Sequence, residues 1–369
     1  MSENLQHLVQ QAIDELVETG AETGLQVAVY RQGELIVDAV AGTADVATGR
    51  PVTSDTLFYS ASTGKAATAT VANLLTDRGK LSYDAPIVEL WPEFGVHGKE
   101  KATLRHVLTH SIGLPAIPSE TTIEDLTDWT TMTEALASAE LWWEPGTKTT
   151  YHAQTFGFLV GELVRRATGK PISAVLREEV TEPLGIADEL YFGVPESELH
   201  RVGKLNEPEG IEELVAMMAG MFAKVAPPAV MPTADFANRP DVLTADLPSG
   251  GTLSARGIAK LYAALLGEVD GVRLFSPERL VEITSPALTG TDELMGNPAT
   301  WALGYPIGRL GSSAEESPRS FGMPGMGGSV GWADRDTGVA FGLTKNRFNP
   351  TEATAAIQIG NLIAESLAR

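Results

Sequence analysis

Cysteine is absent from the 369 residues. That one absence removes disulfides, thiolate nucleophiles, Cys-ligated zinc and iron–sulfur clusters together. Histidine is scarce, six in all, and 27 Lys and Arg stand against 48 Asp and Glu, a formal net charge of −21. Such a surface repels phosphate backbones and anionic lipid, which sets aside nucleic acid and membranes as partners. Long apolar runs are missing as well: the longest, Leu214 to Ala223, has about half the length a bilayer span needs. The N-terminus, MSENLQHLVQQAIDEL, carries acidic residues where a secretory signal carries a basic stretch and then an apolar one. The expectation is a soluble, cytoplasmic protein.

What is present is a composition able to bury a large core, 43% hydrophobic and 20% charged. At roughly 150 residues per domain, the length suits two domains or one with a long insertion. Leu5, Leu8, Val9, Ile13, Leu16 and Val17 recur at helical spacing, so the chain opens with an amphipathic helix. Gly24 to Tyr30 and Leu35 to Ala41 flank Gln32-Gly33 as a hairpin. A second hairpin, Gly328 to Ala333 and Gly338 to Thr344, turns at Asp334 to Thr337, and a helix from about Glu352 to Leu367 closes the chain. Strands near both termini predict one sheet built from the two ends, over 1–80 and 250–369. The stretch 81–249 reads as a mostly helical insertion, with helices over 103–110, 154–168, 172–180 and 209–224. A helix over 66–78 precedes it. The segments 115–130, 190–208 and 225–250 have no clear period.

Most candidate chemistry fails on spacing. Gly64-Lys65 lacks the first glycine of a phosphate loop, Tyr59 standing in its place, and Ala66 replaces the hydroxyl residue that holds magnesium. His106 and His110 share a helix face, but Val107 stands where a metalloprotease carries Glu. They read as capping or packing residues. Gly327-Gly328-Ser329-Val330-Gly331 matches the G-x-S-x-G elbow, yet the last histidine is His200, so the Ser, acid, His order of that fold is impossible. Its glycines read instead as points of close backbone approach.

Ser62-Thr63-Gly64-Lys65 survives. It sits where a strand, Thr56 to Ser60, hands over to a helix, so Ser62 and Lys65 share one face. Serine needs an adjacent base to act as a nucleophile, and a desolvated Lys can serve, or its charge can hold a Tyr as phenolate. The helix N-terminus suits developing negative charge. Alone, S-x-x-K is a weak signal.

Further blocks follow in order: Thr103 to Pro115, Glu144-Pro145-Gly146, Tyr151-His152-Ala153, and Phe321 to Ser329. With Ser62 to Lys65 they resemble the serine β-lactamase and penicillin-binding-protein superfamily over about residues 20–365. The closest likeness is to the class C-like branch that holds bacterial family VIII carboxylesterases. The resemblance implies an α+β, β-lactamase/transpeptidase-like fold: an antiparallel sheet flanked by helices, a mostly helical inserted domain, and a site in the cleft between. It implies Ser62 as acylated nucleophile, Lys65 as its partner, and Tyr151 as the base that takes the Ser62 proton, with Lys65 supplying the cation a phenolate needs. It also implies an oxyanion hole from the backbone N–H groups of Ser62 and Met326, and substrate contact at Met323 and Gly325.

Two departures bear on the substrate. Ala153 stands where the family's Tyr-x-Asn has Asn, and Met323-Pro324-Gly325 replaces Lys-Thr-Gly or His-x-Gly. Both remove polar recognition of a β-lactam while leaving nucleophile, base and oxyanion donors. The expected activity is hydrolysis of small carboxylic esters through an acyl-Ser62 intermediate, without cofactor or metal. The alternatives are a β-lactamase or D-amino peptidase, an acyltransferase, and a catalytically inactive ligand-binding relative. Trp142, Trp143, Met217, Met218, Met221 and Phe222 read as core rather than as pocket lining.

Overall fold

The computed structural model describes residues 2–367. Its main sheet has six antiparallel strands, made from the two ends of the chain as the hairpin signals predicted. They are β1 (Gly24–Arg31), β2 (Glu34–Asp45), β3 (Arg50–Pro51), β9 (Ser320–Pro324), β10 (Val330–Asp334) and β11 (Val339–Lys345), in the order β3-β2-β1-β11-β10-β9. β4 (Phe58–Tyr59), β5 (Leu190–Tyr191) and β6 (Thr252–Leu253) form a second sheet; β7 (Leu288–Thr291) pairs with β8 (Pro298–Trp301).

The first hairpin turns on Gln32 and Gly33, at φ 52° and 85°. Two left-handed residues in a two-residue loop match the twist of the flanking strands. In the second, Asp334 Oδ1 accepts from Asp336 N, Thr337 N and Thr337 Oγ1, which closes the turn before Gly338.

β1 is buried on both faces, and alternate residues show why. Leu25, Val27 and Val29 join Leu5, Val9 and Ile13 of the opening helix, Ser2–Glu18, and Ile359 and Ile363 of the closing helix, Thr354–Leu367. Ala28 and Tyr30 face the opposite way, into the main core with Ile258 and Tyr262 of the helix Ala255–Leu266. That helix lies close: a Cβ on Gly342 of β11 would stand 2.3 Å from the Ala255 carbonyl oxygen.

The predicted middle helices appear as Leu104–Leu108, Thr155–Thr168, Ile172–Leu176 and Glu212–Phe222. Ile172–Leu176 runs on into a wider-wound turn, Arg177–Thr181. The segments without a period hold helices too short to show one, among them Ile123–Thr127, Ala234–Ala237 and Pro240–Thr244. No described helix is long and apolar enough to cross a membrane.

Candidate active site

Ser62 belongs to a short turn of 3-10 helix, Ala61–Gly64, that runs directly into the helix Lys65–Asp77. Ala61 precedes it at φ 44°, a left-handed conformation that costs a non-glycine residue energy and marks a backbone held by its surroundings. Those surroundings are specific. Ser60 N donates to Gly251 O over 2.8 Å, and Thr63 Oγ1 donates to Ser329 O over 3.1 Å. Gly64 lies so close to Gly250 that a Cβ there would stand 2.1 Å from its carbonyl oxygen.

Lys65 is fully buried. Its Nζ lies 3.2 Å from Ser62 Oγ and 2.6 Å from the Ser249 carbonyl oxygen. Among the described residues it takes part in no ion pair, so burial lowers its pKa to about 7. Its Nζ also sits 5.0 Å from the centre of the Tyr151 ring. The Tyr151 phenol is pushed up by the same burial, against a smaller lowering from a hydrogen bond with the Ser62 side chain.

The backbone of Tyr151 is held by a carboxylate distant in sequence. Asp292 Oδ2 accepts from Tyr151 N over 2.8 Å, and its Oδ1 accepts from Thr150 Oγ1 over 2.6 Å. Trp301 stacks on the Tyr151 ring, centroids 6.1 Å apart and planes 10° from parallel, while His110 packs against both.

His106, His110 and His152 behave as structural residues. His106 Nδ1 accepts from Thr103 N at the start of its helix. His110 Nδ1 accepts from His152 N, and His152 Nε2 accepts from Leu114 N. Desolvation holds His110 well below its ordinary pKa and brings His152 down to about 4. Among the described residues no cluster of His, Asp and Glu suits a metal ion.

Ser62, Tyr151 and Met326 line one cleft. Ala153, Phe192, Phe236, Val242 and Leu247 line it with them, so its walls are chiefly apolar. The Met326 N–H has no intramolecular acceptor among the described hydrogen bonds, which leaves it free for an incoming oxygen. Gly325 sits behind this loop, where a Cβ would meet Ser60 O at 2.2 Å and Thr63 Oγ1 at 2.6 Å.

Three readings of individual residues change. Met323, expected at the substrate, is 1% exposed, packs in the main core and is not among the residues that line the cleft. Gly325 acts by letting the loop approach Ser60. The expected core stripe of Met217 and Met221 is exposed, and Phe222 lines the cleft. Ser329, by contrast, is buried as structure: its Oγ accepts from Lys345 N and its carbonyl from Gly325 N. Ser249 and Asp292 were missed by sequence reasoning. The small-residue run Pro248 to Gly251 was the one signal for the first; nothing local marks the second.

A family model described as Beta-lactamase matches residues 9–364. The chain belongs to the beta-lactamase family. Among its relatives, the esterase/beta-lactamase LipL of Mycobacterium tuberculosis is 35% identical across 94% of this chain and 83% of that protein. The esterase EstB of Burkholderia gladioli is 28% identical across 82% and 78%. A crystal structure of a family VIII carboxylesterase superposes with a TM-score of 0.87 at 31% identity, covering 98% of this chain and 97% of that one. The α+β, β-lactamase/transpeptidase-like architecture expected from the motifs is the one observed.

Proposed function

We propose that the chain is a serine hydrolase of uncharged carboxylic esters, working through an acyl-Ser62 intermediate. The observation that carries the reading is Lys65: a fully buried amine, brought down to about 7, standing 3.2 Å from a serine hydroxyl on the wall of an apolar cleft. The esterase relatives support ester hydrolysis in general.

In this mechanism Ser62 Oγ attacks the ester carbonyl carbon as neutral Lys65 takes its proton. The developing oxyanion lies against the N–H groups of Ser62 and Met326. Tyr151, kept neutral by burial, passes a proton to the departing alkoxide, and water then releases the acid by the reverse proton path. This differs from the expectation that Tyr151 is the base. Lys65 is buried and Tyr151 half-buried, and desolvation favours the uncharged form of each, an amine that can accept and a phenol that can donate.

Initial rates on p-nitrophenyl acetate to octanoate and on a chromogenic cephalosporin, for wild type, Ser62→Ala and Tyr151→Phe, test the reading. Ester turnover lost in both variants, with little cephalosporin cleavage, supports it. Full ester activity in Ser62→Ala overturns the mechanism. Efficient cephalosporin cleavage moves the assignment to β-lactam hydrolysis.

A further inference from the structure

The helix Glu212–Phe222 opens with two glutamates and then runs from Leu214 to Ala223 without a charge. A surface helix ordinarily buries an apolar stripe against the core. None of the side chains of this one is buried, and Met217 and Met221 are 54% and 42% exposed. Exposed apolar surface of this kind marks a place where something docks. Trp142, 45% exposed, shares a recess with Lys224 just past the helix end.

The position of the helix says what docks. Phe222, Val225 and Ala226, at and beyond its last turn, line the same cleft as Ser62. Apolar surface therefore continues from the outer helix to the serine hydroxyl. Charge narrows the occupant further. At a net charge of −21 two copies of the chain repel each other, and so do the chain and an anionic bilayer. The first cation after the apolar run is Lys224, so the helix lacks the basic face that draws anionic lipid. An uncharged, water-insoluble phase remains.

We propose that the helix Glu212–Phe222 adsorbs to the surface of aggregated uncharged esters and passes their acyl chains into the cleft. The proposal rests on the acyl-Ser62 reading and adds to it a substrate class, esters presented from a dispersed phase. Apolar side chains enter that phase, and the acyl group moves along Phe222 toward Ser62 without crossing water.

The test uses tributyrin, below and above its solubility limit, with wild type and two double variants, Met217→Glu/Met221→Glu and Met217→Lys/Met221→Lys. Both positions are exposed and outside the cleft lining, so the variants fold and keep wild-type rates on p-nitrophenyl acetate. The wild-type rate rises above its dissolved-substrate plateau once the dispersion forms. Both variants lose that rise, and their adsorption, read as depletion from the aqueous phase, weakens by about tenfold for each methionine. Using both signs of charge assigns the loss to apolarity. A rise that persists in both variants, or a wild type that does not adsorb while still cleaving p-nitrophenyl acetate, overturns this proposal alone. No cleavage of p-nitrophenyl acetate sinks the hydrolase reading beneath it. A wild-type dimer in sedimentation that dissociates in both variants reassigns the helix to self-association and overturns adsorption.

Discussion

Lys65 Nζ stands 3.2 Å from Ser62 Oγ and 2.6 Å from the Ser249 carbonyl oxygen, inside the protein and outside every ion pair among the described residues. A carboxylate beside it would hold it charged. A carbonyl dipole orients the amine without doing so, and burial then sets its protonation near neutrality.

The acid limb of ester hydrolysis follows from that setting. The amine is protonated below its pKa and accepts no proton there, so kcat/KM for p-nitrophenyl acetate rises with pH through about 7 and levels above it. Lys65→Arg stays charged throughout and loses activity at every pH. A flat wild-type profile between pH 5 and pH 9 removes Lys65 from the role of base.

Ser62→Ala is expected to lower kcat by about 10³- to 10⁶-fold, the range seen when a nucleophile is removed. A fluorophosphonate adds its mass to wild type and not to this variant. Ser329→Ala keeps the adduct and most of the activity, because its hydroxyl is buried, accepts from the Lys345 backbone N–H and lies outside the cleft lining.

Asp292→Asn tests the support of Tyr151. The carboxylate accepts from Tyr151 N, Thr150 Oγ1, Leu294 N and Met295 N, and an amide presents one acceptor oxygen in its place. The expected cost is about 1–3 kcal/mol in denaturant unfolding. A fall in kcat with KM little changed accompanies it. Stability lost with kcat intact assigns Asp292 to folding alone.

Met323→Lys does not create β-lactam turnover. The side chain enters the main core, so the substitution buries an unpaired ammonium and lowers Tm, at a cost of several kcal/mol. A stable variant that cleaves a chromogenic cephalosporin contradicts the placement of this residue.

Gly325→Ala should reduce kcat by at least about tenfold, since the new methyl cannot share space with Ser60 O, and the loop that presents the Met326 N–H must move. Unchanged kcat shows that this N–H is dispensable.

Local order in the chain determined a good deal. Ser62 and Lys65 meet because residues three apart share a helix face, and Gln32-Gly33 turns a hairpin because the loop demands left-handed backbone. Apolar periodicity likewise located the opening and closing helices and the two hairpins that build the sheet. Tertiary structure decided the rest, for reasons no window of sequence contains. Whether Lys65 is charged depends on its burial by segments distant in sequence, with no carboxylate paired to it among the described residues, while the Ser249 carbonyl orients the amine. Whether Met323 meets substrate depends on which face of β9 is turned to the core. Met217 and Met221 of the helix Glu212–Phe222 have the composition of a core, and they lie exposed on the face turned away from its half-buried Leu214, Met218 and Phe222. Composition states what a side chain prefers, and the packing of distant segments decides whether it is granted.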